Sequence, residues 1–323
     1  MLEVLEEDYL CFPSLNATCR SMPVTPKELL VEALLYCIAV LTVMLNLLVV
    51  ISISHFRQLH TPTNLLILSL AVSDLLVGLF VMPAAIIALH SCWFLGKLMC
   101  ALSYLLTFTL TSASVGNMVL ISVDRYVAIC HPLRYSTMIT SNRVMVCLCL
   151  CWLCSLLYNC LIMKDQLEQT HIADSCYHKC TAVISLISGA VDMIVTFLFP
   201  VTVIVVLYLQ VFVVAVSQGR VQRSQVTAVK SKTVIKRSDM RAARTLGVVI
   251  LMFILCLCPY YGLALTLQDT PADRLSAQIW LFYCNSSFNP LIYAFFYPWF
   301  RKAVKHIISL QILQQGSCDT RLM

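Results

Sequence analysis

Ionisable side chains are scarce in the long apolar stretches of this chain, and that scarcity singles out the ones that are there. Three acids lie within those stretches, Asp74, Asp124 and Asp192. A charge at the centre of a membrane helix costs ~2.5–3.5 kcal/mol on insertion scales, so such residues are seldom kept without a use. Asp192 stands eight residues before Pro200, and Ser185, Ser188, Asp192 and Thr196 recur at helical spacing. A matching polar stripe, Ser103, Thr107, Thr111 and Ser114, runs along an earlier stretch. Two polar faces around a single carboxylate suit a cavity for an ammonium ligand. Tyr260, Tyr261, Trp280 and Tyr283 lie at corresponding depth in the last two stretches and are candidate cage walls, because an ammonium over such rings gains ~0.5–2 kcal/mol. The bland alternatives are a buried acid satisfied by neighbouring hydroxyls and aromatics that only pack or anchor.

Asp74 keeps different company. Ser114, Asn285, Ser286 and Asn289 supply hydroxyls and amides at similar depth, a set that can hold a sodium ion or ordered water, or merely join helices. Asp124 and Arg125 end the third stretch, where neighbouring opposite charges favour a switchable pair, and Asp239 offers Arg125 a second partner. No nucleophile, base and orienting group converge, so catalysis has no support.

The elements that must position these residues follow from hydropathy. The chain of 323 residues is 60% hydrophobic and 12% charged, with a mean hydropathy of +0.85, too apolar for a soluble domain of ordinary composition. Crossing ~30 Å of hydrocarbon takes ~20 helical residues, and stretches of that length fall near 33–56, 64–89, 98–123, 144–163, 181–215, 244–267 and 275–297. No strand alternation interrupts them. The expectation is an all-α bundle of seven transmembrane helices: a tail over 1–30, the bundle over 31–297, and a surface helix with tail over 298–323. Past Pro298, Phe300, Ala303, Val304, Ile307 and Ile308 share a face opposite Arg301, Lys302 and Lys305, the pattern of a helix lying on a membrane. Pro83, Pro200, Pro259 and Pro290 each remove a helical hydrogen bond and permit a kink.

Charge sets orientation. With the N-terminus outside, about sixteen of the 22 Lys and Arg lie on the inner side, as Lys and Arg prefer. The basic stretch near 216–240 is either this bias or a docking surface for a partner. About eleven acids then face outside against about six bases, which mildly attracts cations. No cleavable leader pattern opens the sequence. Asn16-Ala17-Thr18 is a credible glycosylation site, whereas Asn285-Ser286-Ser287 lies within the seventh stretch. Of seventeen Cys, most lie in apolar stretches as packing thiols, while Cys11, Cys19, Cys92, Cys100, Cys176 and Cys180 fall outside, where bridges persist but their pairing is not legible.

An ordered set of motifs resembles the rhodopsin-like G-protein-coupled receptors. It comprises Asn46, Leu70-Ala71-Val72-Ser73-Asp74, Cys100, Asp124-Arg125-Tyr126, Trp152, Pro200, Tyr208, Phe253, Cys256 through Pro259, and Asn289-Pro290-Leu291-Ile292-Tyr293. Asn285 through Tyr293 continuing to Tyr297, Trp299 and Phe300, together with Arg241 through Gly247 and Ser91-Cys92-Trp93-Phe94, is similar to the trace amine-associated receptors. The resemblance implies a Cys100–Cys180 bridge and a second from Cys11 or Cys19 to Cys176. The stripes and rings above place the expected ligand site at Asp192, Thr107, Thr196, Tyr260, Tyr261, Trp280 and Tyr283. At the inner face the resemblance implies coupling of Arg125 and Tyr208, with Asp124, Tyr126, Asp239 and Tyr293, to a stimulatory, cAMP-raising G protein. The setting it implies is the plasma membrane, as in olfactory cilia.

Two departures stand out. Thr107 occupies the third-helix position where most aminergic receptors carry the ammonium-binding Asp, and Asp192 occupies a fifth-helix position where a large fish branch places an acid, so an amine would bind in reversed orientation. Leu257 stands where the family usually has Trp, so either Phe253, Leu257 and Tyr260 share the switching role or basal activity differs. A receptor for a non-amine ligand, with Asp192 structural, is the second reading; a transporter or channel is a third, opposed by the lack of inverted halves.

Overall fold

The computed structural model describes residues 26–89, 93, 95–164, 180, 185–224, 247–262, 272–320 and 322, and among these there is no β-strand. Helix α1 spans Pro26–His55 and α2 begins at Pro62, with Thr61 as N-cap accepting from the Asn64 amide. Helix α2 passes through a π-helical turn at Val77–Val81 and continues over Met82–Leu89. Helix α3 spans Gly96–Cys130 and α4 spans Ser141–Ile162, the two being separated by a short helical turn at Tyr135–Met138. Helix α5 begins at Leu186, carries a second π-helical turn at Met193–Leu198 and reaches Ser224. Helix α6 is described over Gly247–Gly262, α7 over Ala272–Phe296 and α8 over Pro298–Ile308.

These bounds extend several expectations. Helix α1 starts at Pro26, inside the stretch expected as tail, and α3 continues through Cys130 instead of stopping at residue 123, so Asp124 and Arg125 sit on a helix with a further turn beyond them. A helix continues past the apolar stretch because its backbone hydrogen bonds need no lipid, only the next residue in register. The π-helical turns lie just ahead of Pro83 and Pro200. Each proline withholds an amide from the carbonyl four residues earlier, and a wider turn relieves that mismatch.

Five of the helices, in α1 through α5, are long and apolar enough to cross a membrane. Helix α6 is described over a shorter apolar span, and α7 is diluted by Gln278, Asn285, Ser286, Ser287 and Asn289, the last four of which are buried within the bundle. The chain is a multi-pass membrane protein built as a helix bundle.

Close packing depends on small and polar residues where apolar burial alone cannot hold helices together in lipid. A Cβ on Gly78 of α2 would come within 3.0 Å of the Val43 side chain of α1, and one on Gly116 of α3 would collide with the Cys151 sulfur of α4. Asn46 of α1 donates to the carbonyl of Ser286 at 2.9 Å, and Trp152 of α4 donates to Ser69 of α2 at 3.0 Å. Helix α8 buries Trp299, Phe300 and Ala303 and exposes Arg301, Lys302 and Lys305, although Ile308 on the expected apolar face is 73% exposed. The tail then turns back on the α1–α2 connection: His55 bonds Ser317 at 2.9 Å, Arg57 pairs with Asp319, and Leu322 is buried.

Candidate functional site

Two halves of the bundle carry the chemistry, one near the Cys100–Cys180 bridge and one near Asp124. The bridge ties the start of α3 to residue 180, with a Cα separation of 5.5 Å, and the Tyr104 hydroxyl donates to the Cys180 carbonyl at 3.3 Å. Asn16, Cys11, Cys19 and Cys176 lie outside the described residues, as does Asp239.

Beneath the bridge three chambers run inward. The mouth, about 200 Å³, is lined by Ala84, Ala88 and Trp93 with Ser103, Trp280 and Tyr283 among others. A second chamber of about 70 Å³ lies between Thr107, Phe108 and Thr111 of α3, Tyr260 and Tyr261 of α6, and Phe282 and Tyr283 of α7. The third, about 20 Å³, reaches down to Ser114, Phe253, Leu257, Asn285 and Ser286. Thr107 and Tyr283 line all three. The α3 hydroxyls do not project as free donors: Ser103, Thr107 and Thr111 donate to the carbonyls of Cys100, Ser103 and Thr107 at 2.7–2.8 Å. Only their lone pairs face a ligand.

The aromatic set is one continuous cluster with two faces. Tyr260 meets Tyr261 edge-on at 5.2 Å and Phe282 at 5.3 Å, while Trp280 meets Tyr283 edge-on at 5.7 Å. Trp280 thereby belongs to the mouth, and Tyr260 and Tyr261 to the deeper chamber on the other side of Tyr283.

Asp192 lies behind that wall. It is 8% exposed and lines none of the chambers just described. Its Oδ1 accepts from Thr196 at 2.8 Å and from Tyr158 of α4 at 3.5 Å, and its Oδ2 accepts from Tyr261 at 3.4 Å. Among the described ion pairs none includes Asp192. Thr196 is buried on the same turn. Ser185, the outermost member of the expected stripe, caps α5 instead: its hydroxyl accepts from the Ser188 amide at 3.1 Å and donates to the Ser188 hydroxyl at 2.8 Å. The stripe is short because the helix starts there, and a side chain that caps a terminus is not available to a cavity.

Asp74 is fully buried and accepts from Asn289 at 2.8 Å. Ser114 is linked to Ser73, the neighbour of Asp74, at 2.9 Å. The second oxygen of Asp74 and the side-chain oxygen of Asn285 have no hydrogen-bond partner among the described residues. Buried oxygens of that kind are normally satisfied by water or a cation, so the residues fit a sodium ion.

At the other end, Asp124 and Arg125 form an ion pair, with Arg125 Nε at 2.9 Å from Asp124 Oδ2. Two residues that sequence spacing did not reveal complete it. Thr63 of α2 donates to Asp124 at 3.0 Å and accepts from Arg125 at 2.6 Å, and the Tyr135 hydroxyl donates to Asp124 at 2.9 Å. Burial pushes the Tyr135 phenol above its usual range, so it remains a protonated donor at physiological pH. Thr63 and Tyr135 come from separate segments, and no periodicity along the chain relates them to Asp124. Tyr126 instead pairs with His131, ring centroids 5.6 Å apart. Tyr293 and Tyr297 wall a small void beside Arg125. Tyr208 packs so closely on Gly247 of α6 that a Cβ there would collide with its hydroxyl.

Residues 45–293 match the family described as 7 transmembrane receptor (rhodopsin family). The chain is similar to trace amine-associated receptor 13c of Danio rerio, 36% identical over 97% of this chain and 95% of the relative. It is similar also to trace amine-associated receptor 8a of Rattus norvegicus, 37% identical over 97% of this chain and 96% of the relative. Trace amine-associated receptor 4 of Mus musculus is 34% identical, with 98% of this chain and 96% of the relative covered.

Proposed function

The chain belongs to the rhodopsin family of seven-transmembrane receptors and, within it, to the trace amine-associated receptors, and from that premise we propose that it senses amines and signals through a stimulatory, cAMP-raising G protein, as a chemosensory receptor of the olfactory type. It is a receptor and not an enzyme. The proposed setting is the plasma membrane, N-terminus outside, with Asn16 as glycan acceptor.

The observation that carries the amine reading is a buried carboxylate beside an aromatic chamber without an ion-pair partner among the described residues. A buried charge is stable when it is paired as well as hydrogen-bonded, and a protonated amine brings the missing cation. Thr107 and Thr196 offer hydroxyl oxygens, and Tyr260, Tyr261, Trp280 and Tyr283 offer ring faces. Because the acid is on α5, the ammonium points toward α4–α6 and the remainder of the ligand toward the mouth at Trp280. Binding acts by population shift: the ligand stabilises the state with an open inner face, in which the Arg125 pairs with Asp124 and Asp239 give way, Arg125 and Tyr208 engage the G protein, and Tyr126 and Tyr293 belong to the same switch. A sodium ion held by Asp74 with Ser114, Asn285, Ser286 and Asn289 would favour the closed state.

A second reading, a receptor for a non-amine ligand with Asp192 structural, draws support from the three hydroxyl donors already on that carboxylate and from its absence from the chamber walls. The two separate in one experiment. Cells expressing the receptor are given a panel of volatile and biogenic amines while cAMP is read, with Asp192→Ala and Asp192→Asn in parallel. Amine responses lost in both variants at intact surface expression support the first reading; responses undiminished, or present only to neutral odorants, support the second.

A further inference from the structure

The three bonds on Asp192 are unequal, and the inequality has a direction. Thr196 donates at 2.8 Å to Oδ1 from the same helix, an ordinary strong contact. The Tyr261 hydroxyl reaches Oδ2 at 3.4 Å from α6, longer than the ~2.5–3.0 Å usual for an O–H donor, and no other described side chain donates to that oxygen. Tyr261 lines the deeper chamber and Asp192 does not, so the phenol stands between ligand and carboxylate. An ammonium donating at ~2.7–2.9 Å to a carboxylate forms a charge-assisted bond roughly twice as strong as a neutral one. Of the three resident donors, Thr196 and Tyr158, the latter at 3.5 Å, both sit on Oδ1, so a donor arriving at Oδ2 displaces Tyr261.

Tyr261 also couples the site to the moving part of the bundle. Its ring stacks on Phe197 at 4.6 Å and 11°, within the π-helical turn of α5, and meets Tyr260 edge-on. Leu257, one helical turn further in, is fully packed and presents no ring. The polar tie described between α5 and α6 at this depth is therefore the Asp192–Tyr261 contact.

We propose that Tyr261 is a latch: its hydroxyl on Asp192 holds α6 against α5 in the resting receptor, and an arriving ammonium takes its place on Oδ2 and releases α6. Ammonium displacement rests on the amine reading above; the latch between helices does not. A consequence for selectivity is that the ligand must offer an N–H to Oδ2, so quaternary ammonium analogues of active amines fail.

The test is a double-mutant cycle read without ligand. GTPγS binding is measured in membranes of cells expressing the receptor with its G protein, normalised to surface receptor, for the parent, Tyr261→Phe, Asp192→Ala and the double variant. The latch predicts a severalfold rise in basal exchange for each single variant and no further rise when Tyr261→Phe is added to Asp192→Ala, since removing the acid already deletes that contact along with those to Thr196 and Tyr158. Tyr261→Phe is further expected to lower the EC50 for an active amine about tenfold, the loss of one competing hydrogen bond to a charged group. An unchanged basal level, multiplicative effects in the double variant, or a raised EC50 in Tyr261→Phe overturns the latch. Should Tyr261→Phe fail to reach the surface, Asp192→Leu, which is of similar size and accepts no hydrogen bond, carries the same basal prediction. If basal exchange follows the cycle while no amine activates the parent, the amine reading fails and the latch stands, opened by another ligand.

Discussion

Asp124 and Asp192 sit at opposite ends of the bundle in similar cages, yet among the described residues one has a cation of its own and the other does not. Each accepts from a threonine and from at least one tyrosine drawn from a different segment. Asp124 has Arg125 as its neighbour in sequence and partner in space, whereas the described ion pairs leave Asp192 out. A self-supplied counter-ion makes a lock that the protein itself must open. A withheld one makes a site that something from outside completes. On the amine reading proposed above, the difference lies in which member of the pair the chain encodes.

The comparison breaks most visibly at Asp192. Asp192→Ala is expected to raise the EC50 for an active amine a hundredfold or more, about 3 kcal/mol, the order measured when one member of a buried pair is removed; cAMP dose–response curves at matched surface expression check it. Next in size is the lock. Asp124→Asn keeps the shape of the cage and removes the charge facing Arg125, and basal nucleotide exchange should rise about tenfold, a change absent if the pair contributes nothing to the resting state.

Asp74 sharpens the contrast from between the two ends. Replacing sodium with a large organic cation should raise agonist affinity severalfold in the parent and leave Asp74→Asn unaffected; radioligand or thermal-shift titrations that respond to sodium equally in both would remove the ion from this site. The smallest effect belongs to Tyr135→Phe. It deletes one of the hydroxyl donors to Asp124 while Thr63 and Arg125 remain. A single such bond contributes ~1 kcal/mol, so basal exchange should rise only a fewfold, in the same direction as Asp124→Asn and with little added to it in the double variant.

Much of this was open to reading along the chain. Apolar stretches matched to the thickness of a bilayer are a one-dimensional signal, and the prolines, the buried acids and the Asp124-Arg125 pair were visible because lipid makes polar residues conspicuous. Depth was legible as well: Tyr260, Tyr261, Trp280 and Tyr283 do form one aromatic cluster. Rotation was not. One residue turns a helix by about 100°, so a helix start at Leu186 and a π-helical turn after Asp192 are enough to decide which side chains share a chamber. Ser185 became the cap, with Ser188 bonded to it, for that reason, and Asp192 came to rest behind Tyr261.

Partners from other segments were beyond reach for a related reason. Thr63 and Tyr135 at Asp124, Tyr158 at Asp192, and Leu322 folded back on Gln58 are separated in sequence by 11 to 264 residues from what they touch. No local pattern encodes such pairings, because each depends on where several helices cross. By itself the sequence determined that the chain must live in lipid as a helical bundle and which few polar residues it keeps there, since burial in hydrocarbon penalises every unneeded charge. Only the tertiary structure decided which of those residues meet, because a hydrogen bond tolerates less than an ångström of error and helix rotation, tilt and crossing set that distance.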